Sequence, residues 1–147
     1  LPGSGQSPPH ETPEPAVFLG DLLSALGLER PVLVSPSMSG RFSLPFAALH
    51  PERLAGLVPV GAVASAADLE ALAKVELPAL VVWGDKDDIV PLEQGRALAR
   101  AIPSAALWIV PGAGHACYLD APAEFHARLI AFARAQMPAV PHEQGPR

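Results

Sequence analysis

The chain has 147 residues, enough for one domain with its own core. Half of the residues are hydrophobic and the formal net charge is −5, which argues against a disordered chain and against a nucleic-acid-binding surface. The ten Lys and Arg are scattered from Arg30 to Arg147, without a polybasic patch, and no apolar run approaches the ~20 residues of a membrane span. Neither nucleic acid nor membrane is therefore expected as a partner. The single cysteine, Cys117, has no partner for an internal disulfide, which fits a reducing compartment.

Residues 1–14, LPGSGQSPPHETPE, are rich in Pro, Gly and Ser and read as loop. The opening LPGSGQS looks like a loop from the middle of a longer protein, so a fragment, a mature product or a truncated isoform is expected. Pro15 suits the first turn of a helix. Phe18, Leu19, Leu22, Leu23 and Leu26 follow at helical spacing, with Gly27 as the stop. PVLV, from Pro31, reads as a strand, and Ser39 to Leu49 as a helix. Leu54 to Val63 reads as a second strand, residues 64–77 as a partly helical link, and Ala79 to Gly84 as a third strand. PLEQGRALARAI forms an amphipathic helix, ALWIV a fourth strand, PGAGHACYLD a loop and PAEFHARLIAFARAQM a closing helix. Residues 138–147 are expected to be a flexible tail.

Near-continuous apolar strands separated by helices predict an α/β fold, a mostly parallel sheet with helices on both faces. In such sheets the chemistry gathers at the carboxyl ends of the strands.

The first strand runs into Ser35-Pro36-Ser37-Met38-Ser39. A nucleophile on a strand-to-helix turn needs small residues two before and two after it, because the sharp backbone brings those positions together. Ser37 meets that condition. Ser39 would have Arg41 two residues on, and Ser35 would have Leu33 two residues back. Taken alone, three serines capping the next helix read equally well.

The later strand ends add the partners. A serine hydroxyl needs a histidine to take its proton, and the histidine needs a carboxylate to set its tautomer. GDKDD follows the third strand and GAGH the fourth, giving the order Ser, acid, His at three separate strand ends. The proposed triad is Ser37, Asp87 and His115. Asp85, Asp87 and Asp88 share one turn; Asp87, three after the glycine, is the preferred acid. Asp85 reads as a residue bonding its own turn and Asp88 as a solvated or helix-capping one. The N–H of Met38, next after Ser37, is a candidate oxyanion donor. Cys117 reads as a small buried residue, His50 and His126 as structural or solvated, and Trp83 and Trp108 as core. The five histidines show no metal-site spacing.

These motifs resemble the α/β-hydrolases, and within them the α/β-hydrolase domain-containing protein 14 subfamily. The resemblance rests on VLVSPSMSG, with serines where the elbow usually has glycines, and on SLPF, LVPV, GDKD and GAGHACYLDAPAEFH. It covers roughly residues 16 to 137 and implies the C-terminal part of the fold, about four strands, making residues 1–137 a partial hydrolase domain. It further implies a cytoplasmic and nuclear serine hydrolase acting on small acyl groups. For 14B-type members it implies protein-lysine deacetylation with coenzyme A as a possible acyl acceptor, no permanently bound cofactor, and a general transcription factor subunit as a possible partner. The alternative is a non-catalytic interaction module that keeps such a partner surface. The full fold has about four further strands ahead of this chain, including the loop with the second oxyanion donor, whose loss costs ~10²–10³ in rate. The short link between strands two and three predicts a small, open pocket.

Overall fold

The computed structural model describes residues 14–137, together with Gln6. The LPGSGQS loop, apart from Gln6, and the tail at 138–147 lie outside the described residues.

Helix α1 (Pro15–Ala25) has Pro15 in its first turn, where the missing N–H costs nothing. It ends on a Schellman motif: Gly27 N–H donates to the Ser24 carbonyl at 3.1 Å and Leu28 N–H to the Leu23 carbonyl at 2.9 Å. Gly27 takes the required left-handed conformation, φ +66°. Strand β1 (Val32–Pro36) leads through one 3₁₀ turn, Ser37–Ser39, into α2 (Gly40–Leu49). A second 3₁₀ turn precedes β2 (Gly56–Val60), which is followed by α3 (Ala66–Leu72). Next come β3 (Ala79–Gly84), α4 (Leu92–Ala101), β4 (Ala105–Val110), the short α5 (Cys117–Asp120) and α6 (Pro122–Gln136).

The four strands form one parallel sheet in the order β1-β2-β3-β4. Alternation along β3 divides the core into two layers. Ala79, Val81 and Trp83 pack with residues of α1, α2, α3 and α4, whereas Leu80 and Val82 pack with Phe125 of α6 and Cys117 of α5. Helices thus cover both faces, as the apolar strands predict. Strands β2 and β3 are buried along their whole length. At the β1 edge Val34 is 39% exposed.

Several boundaries differ from the sequence reading for local reasons. Strand β1 continues two residues into the serine cluster. Strand β2 is shorter at both ends, because the 3₁₀ turn Pro51–Arg53 precedes it and Gly61, at φ +52°, turns the chain away after it. The alanine-rich link contains α3, started by a capping box: the Ser65 hydroxyl accepts from Asp68 N–H while the Asp68 carboxylate accepts from Ser65 N–H. The expected loop at 111–120 ends in α5.

Candidate active site

Ser37 sits where β1 turns into α2, with φ +49°, the one non-glycine residue with positive φ among the described residues. A side chain held there costs about 1–3 kcal/mol and persists only where its surroundings enforce it. The enforcement comes from the segment after β2: Val63 N–H donates to the Ser37 carbonyl at 3.0 Å. A Cβ on Gly40 would collide with the Val63 carbonyl oxygen, so a glycine at the head of α2 allows this segment to approach. Ser35 is buried and hydrogen-bonds the buried Ser43 hydroxyl of α2, tying the strand to the helix below the turn. Neither Pro36 nor Ser39, the residues at the two helical starts, makes a side-chain cap. The capping reading of the serines therefore does not describe this turn. Ser35 braces the elbow and Ser37 is displayed on it.

His115 lies at the end of the loop after β4, Asp87 in the turn after β3. The Asp87 side chain is fully buried and that of His115 is 18% exposed. A carboxylate offers only acceptors, so His115 Nδ1–H donates to Asp87 Oδ2 at 2.9 Å. Nε2 is then left to accept the Ser37 hydroxyl at 2.8 Å. The second carboxylate oxygen, Oδ1, accepts Ile89 N–H at 3.0 Å and Val90 N–H at 2.9 Å. With three donors, the Asp87 carboxylate has one orientation. Val90 in turn accepts the indole N–H of the fully buried Trp83 through its carbonyl at 2.9 Å. The acid turn is thereby anchored in the core.

The turn after β3 and the histidine loop are stitched together. Lys86 N–H donates to the Ala113 carbonyl at 2.9 Å, and Asp85 Oδ1 accepts Gly112 N–H at 2.7 Å. Asp85 thus bonds the neighbouring loop instead of its own turn, a correction to the sequence reading; only the fold reveals how close the two loops come. A Cβ on Gly84 would collide with the carbonyls of Ala113 and Gly114. Gly61 lies against the Asp87–His115 pair, and Asp120 Oδ2 accepts Gly114 N–H at 2.9 Å. Asp88 is exposed.

Gly40, Gly61 and Asp120 are contributors that sequence reasoning misses. Gly61, directly after a strand, carries a faint signal, but an ordinary turn glycine looks the same. Met38 follows Ser37 within the 3₁₀ turn, among the first N–H groups that a helix start leaves unpaired.

Cys117 is fully buried; burial first, and then the Asp87 charge, push its thiol from the ordinary 9.0 up to about 11. It is a small core residue, inert as a nucleophile. His50 packs on Phe46 and His126 lies edge-on to Phe125. Among the described residues no group of three or more His, Cys, Asp and Glu is placed to hold a metal, and no helix is long and apolar enough to cross a membrane. A recess of about 870 Å³, lined by Arg30, Leu49, Lys74 and Pro78 among others, lies at the amino end of the strands. It is remote from Ser37.

Comparison with known proteins identifies the family to which this fold belongs. Residues 66–122 match the model of the alpha/beta hydrolase fold family. Over 140 residues, 90% of this chain, it is 39% identical to Homo sapiens ABHD14B, provisionally named a protein-lysine deacylase, and spans 65% of that protein. It is 36% identical to Danio rerio ABHD14A over 137 residues, spanning 50% of that relative. The crystal structure of a predicted CIB-like hydrolase from Thermoplasma acidophilum superposes with a TM-score of 0.83 at 30% identity, covering 91% of this chain and 69% of that one. The chain belongs to the α/β-hydrolase family. Within that family it falls in the ABHD14 subfamily. Its four parallel strands correspond to part of the α/β-hydrolase fold, and the elbow, acid turn and histidine loop lie at their carboxyl ends.

Proposed function

We propose that this chain carries the catalytic centre of a serine hydrolase acting on small acyl esters or amides. One observation carries the reading: the hydrogen-bonded series Ser37–His115–Asp87, at 2.8 and 2.9 Å, with the serine on a strained elbow. Ser37 Oγ attacks the acyl carbon while its proton passes to His115 Nε2, and Asp87 holds the imidazolium that forms. The Met38 N–H helps to hold the oxyanion. Collapse expels the leaving group, which takes the proton from His115, and leaves the acyl group on Ser37. Water then attacks with His115 as base, releasing the acid and restoring the hydroxyl. If coenzyme A attacks instead, its thiol proton goes to His115 and then to Ser37, and the acyl group departs as a thioester.

An acetyl group, carried by an ester or by an acetyl-lysine side chain, is the acyl unit we propose. The name of the human relative supports the second form. The competing reading is an interaction module that retains the site without turnover, with a transcription-factor subunit as its partner.

A fluorophosphonate probe separates the two readings. It bonds to an activated serine, with fluoride leaving the phosphorus and the serine proton passing to the histidine. Intact mass spectrometry of the folded chain is expected to show a single adduct, absent from Ser37→Ala. A folded chain that gains no adduct would overturn the hydrolase reading and favour the interaction module.

A further inference from the structure

The loop carrying His115 contains Gly112 and Gly114, and Gly112 is at φ +74°. Glycines lose the most conformational freedom on ordering, so a loop built from them holds a side chain in place only if it is tied down. Two carboxylates supply ties at its two glycine amides. Asp85, from the turn after β3, takes Gly112 N–H at 2.7 Å. Asp120, at the end of α5, takes Gly114 N–H at 2.9 Å. Gly114 is the residue immediately before His115, and the bond spans six residues, closing a small ring that includes the histidine. Inside that ring Leu119 N–H donates to the Ala116 carbonyl at 2.7 Å. The far end is held because Ala121 N–H bonds the carbonyl of fully buried Cys117 at 3.1 Å.

We propose that Asp120 is a positioning residue for the catalytic histidine. Its carboxylate fixes the Gly114 peptide, and thereby the direction from which the imidazole reaches Ser37. It acts through Gly114 and needs only an acceptor oxygen at that place; its charge takes no part. This inference rests on the reading of Ser37, His115 and Asp87 as a catalytic triad.

The test compares Asp120→Ala with Asp120→Asn, which keeps an acceptor for Gly114 N–H. In p-nitrophenyl acetate hydrolysis, Asp120→Ala is expected to lose at least ~10-fold in kcat with KM nearly unchanged, as for a misplaced catalytic group. Asp120→Asn is expected to recover to within about threefold of the parent. Parental kcat in Asp120→Ala, a change confined to KM, or an Asn variant as impaired as the Ala variant would each overturn the proposal. If the parent hydrolyses no faster than Ser37→Ala, the hydrolase reading fails by itself. Asp120 is then judged by NMR, from Gly114 amide exchange and the His115 Cε1–H resonance. Faster exchange and a displaced resonance in Asp120→Ala, both restored in Asp120→Asn, support the positioning role; spectra unchanged in Asp120→Ala overturn it.

Discussion

Gly61 presents its bare Cα to the Asp87–His115 pair: a Cβ there would stand 3.2 Å from His115 Cε1 and Nδ1 and 3.3 Å from Asp87 Oδ2. Those separations are tighter than ordinary van der Waals contact, and neither neighbour is free to retreat. Asp87 is held by three donors and His115 by Asp87 and Ser37. Gly61 is also at φ +52°, where a side chain costs roughly 1–2 kcal/mol. Gly61→Ala is therefore expected to lower kcat by about 10–100-fold through displacement of the imidazole. Far-ultraviolet circular dichroism of the variant should stay close to that of the parent. Ester hydrolysis at parental rate would show that the pair has more room than the geometry allows.

Three aspartates share the acid turn, and their surroundings assign them different work. Asp87→Asn keeps the shape but turns an amide toward His115 Nδ1, disfavouring the tautomer that accepts the Ser37 proton; kcat should fall by roughly 10³–10⁴-fold. Asp85→Ala removes the acceptor for Gly112 N–H and loosens the histidine loop, with a loss of about tenfold or less. Asp88 is exposed, and Asp88→Asn should stay within about twofold, as surface changes that remove no buried interaction do. Steady-state kinetics on the three variants reads the ranking directly. Any other order would reassign the acid.

Trp83 links the core to the chemistry, since its indole N–H holds the Val90 carbonyl while Val90 N–H holds Asp87 Oδ1. Trp83→Phe keeps an aromatic ring but leaves a buried carbonyl unpaired and a gap beside α4. The unpaired carbonyl alone costs about 1–3 kcal/mol. Chemical denaturation should report a loss of at least this size. Turnover at temperatures where the variant is fully folded should also fall, because the acid turn has lost its anchor. A variant destabilised yet fully active would confine Trp83 to packing.

How much of this was legible in the sequence depends on whether a signal is local. The β3 segment reads clearly because ALVVWG is a bounded apolar run, and α4 because its apolar residues recur at helical spacing. The order of Ser37, Asp87 and His115 is legible for a related reason: each follows a strand, and a parallel sheet places those ends together. The short α5 is hidden, because four residues after a Gly-rich turn carry no period. Gly40 and Gly61 could not be singled out, since what forbids a Cβ there is Val63 in one case and the His115–Asp87 pair in the other, 23 and at least 26 positions away in the chain. Asp85 was misread because its partner, Gly112, lies across two loops that meet only in the folded sheet. Asp120 has its partner close in sequence, yet the bond depends on how α5 folds back over the loop.

Cys117 supplies a prediction with a definite pH sense. Burial raises its thiol from 9.0 to about 11 in the folded chain, so the native state retains its proton more tightly than the unfolded one. The linked contribution to stability is full below pH 9, where both states are protonated, and is lost as pH rises toward 11. Denaturation midpoints measured across that window should fall more steeply for the parent than for Cys117→Ala, which lacks the titration. The same burial predicts that iodoacetamide at pH 8 leaves the native thiol unmodified and alkylates it promptly in denaturant. Rapid labelling of the folded chain would mean that α5 opens readily. The ring that places His115 would then be looser than its hydrogen bonds to Asp87 and Ser37 require.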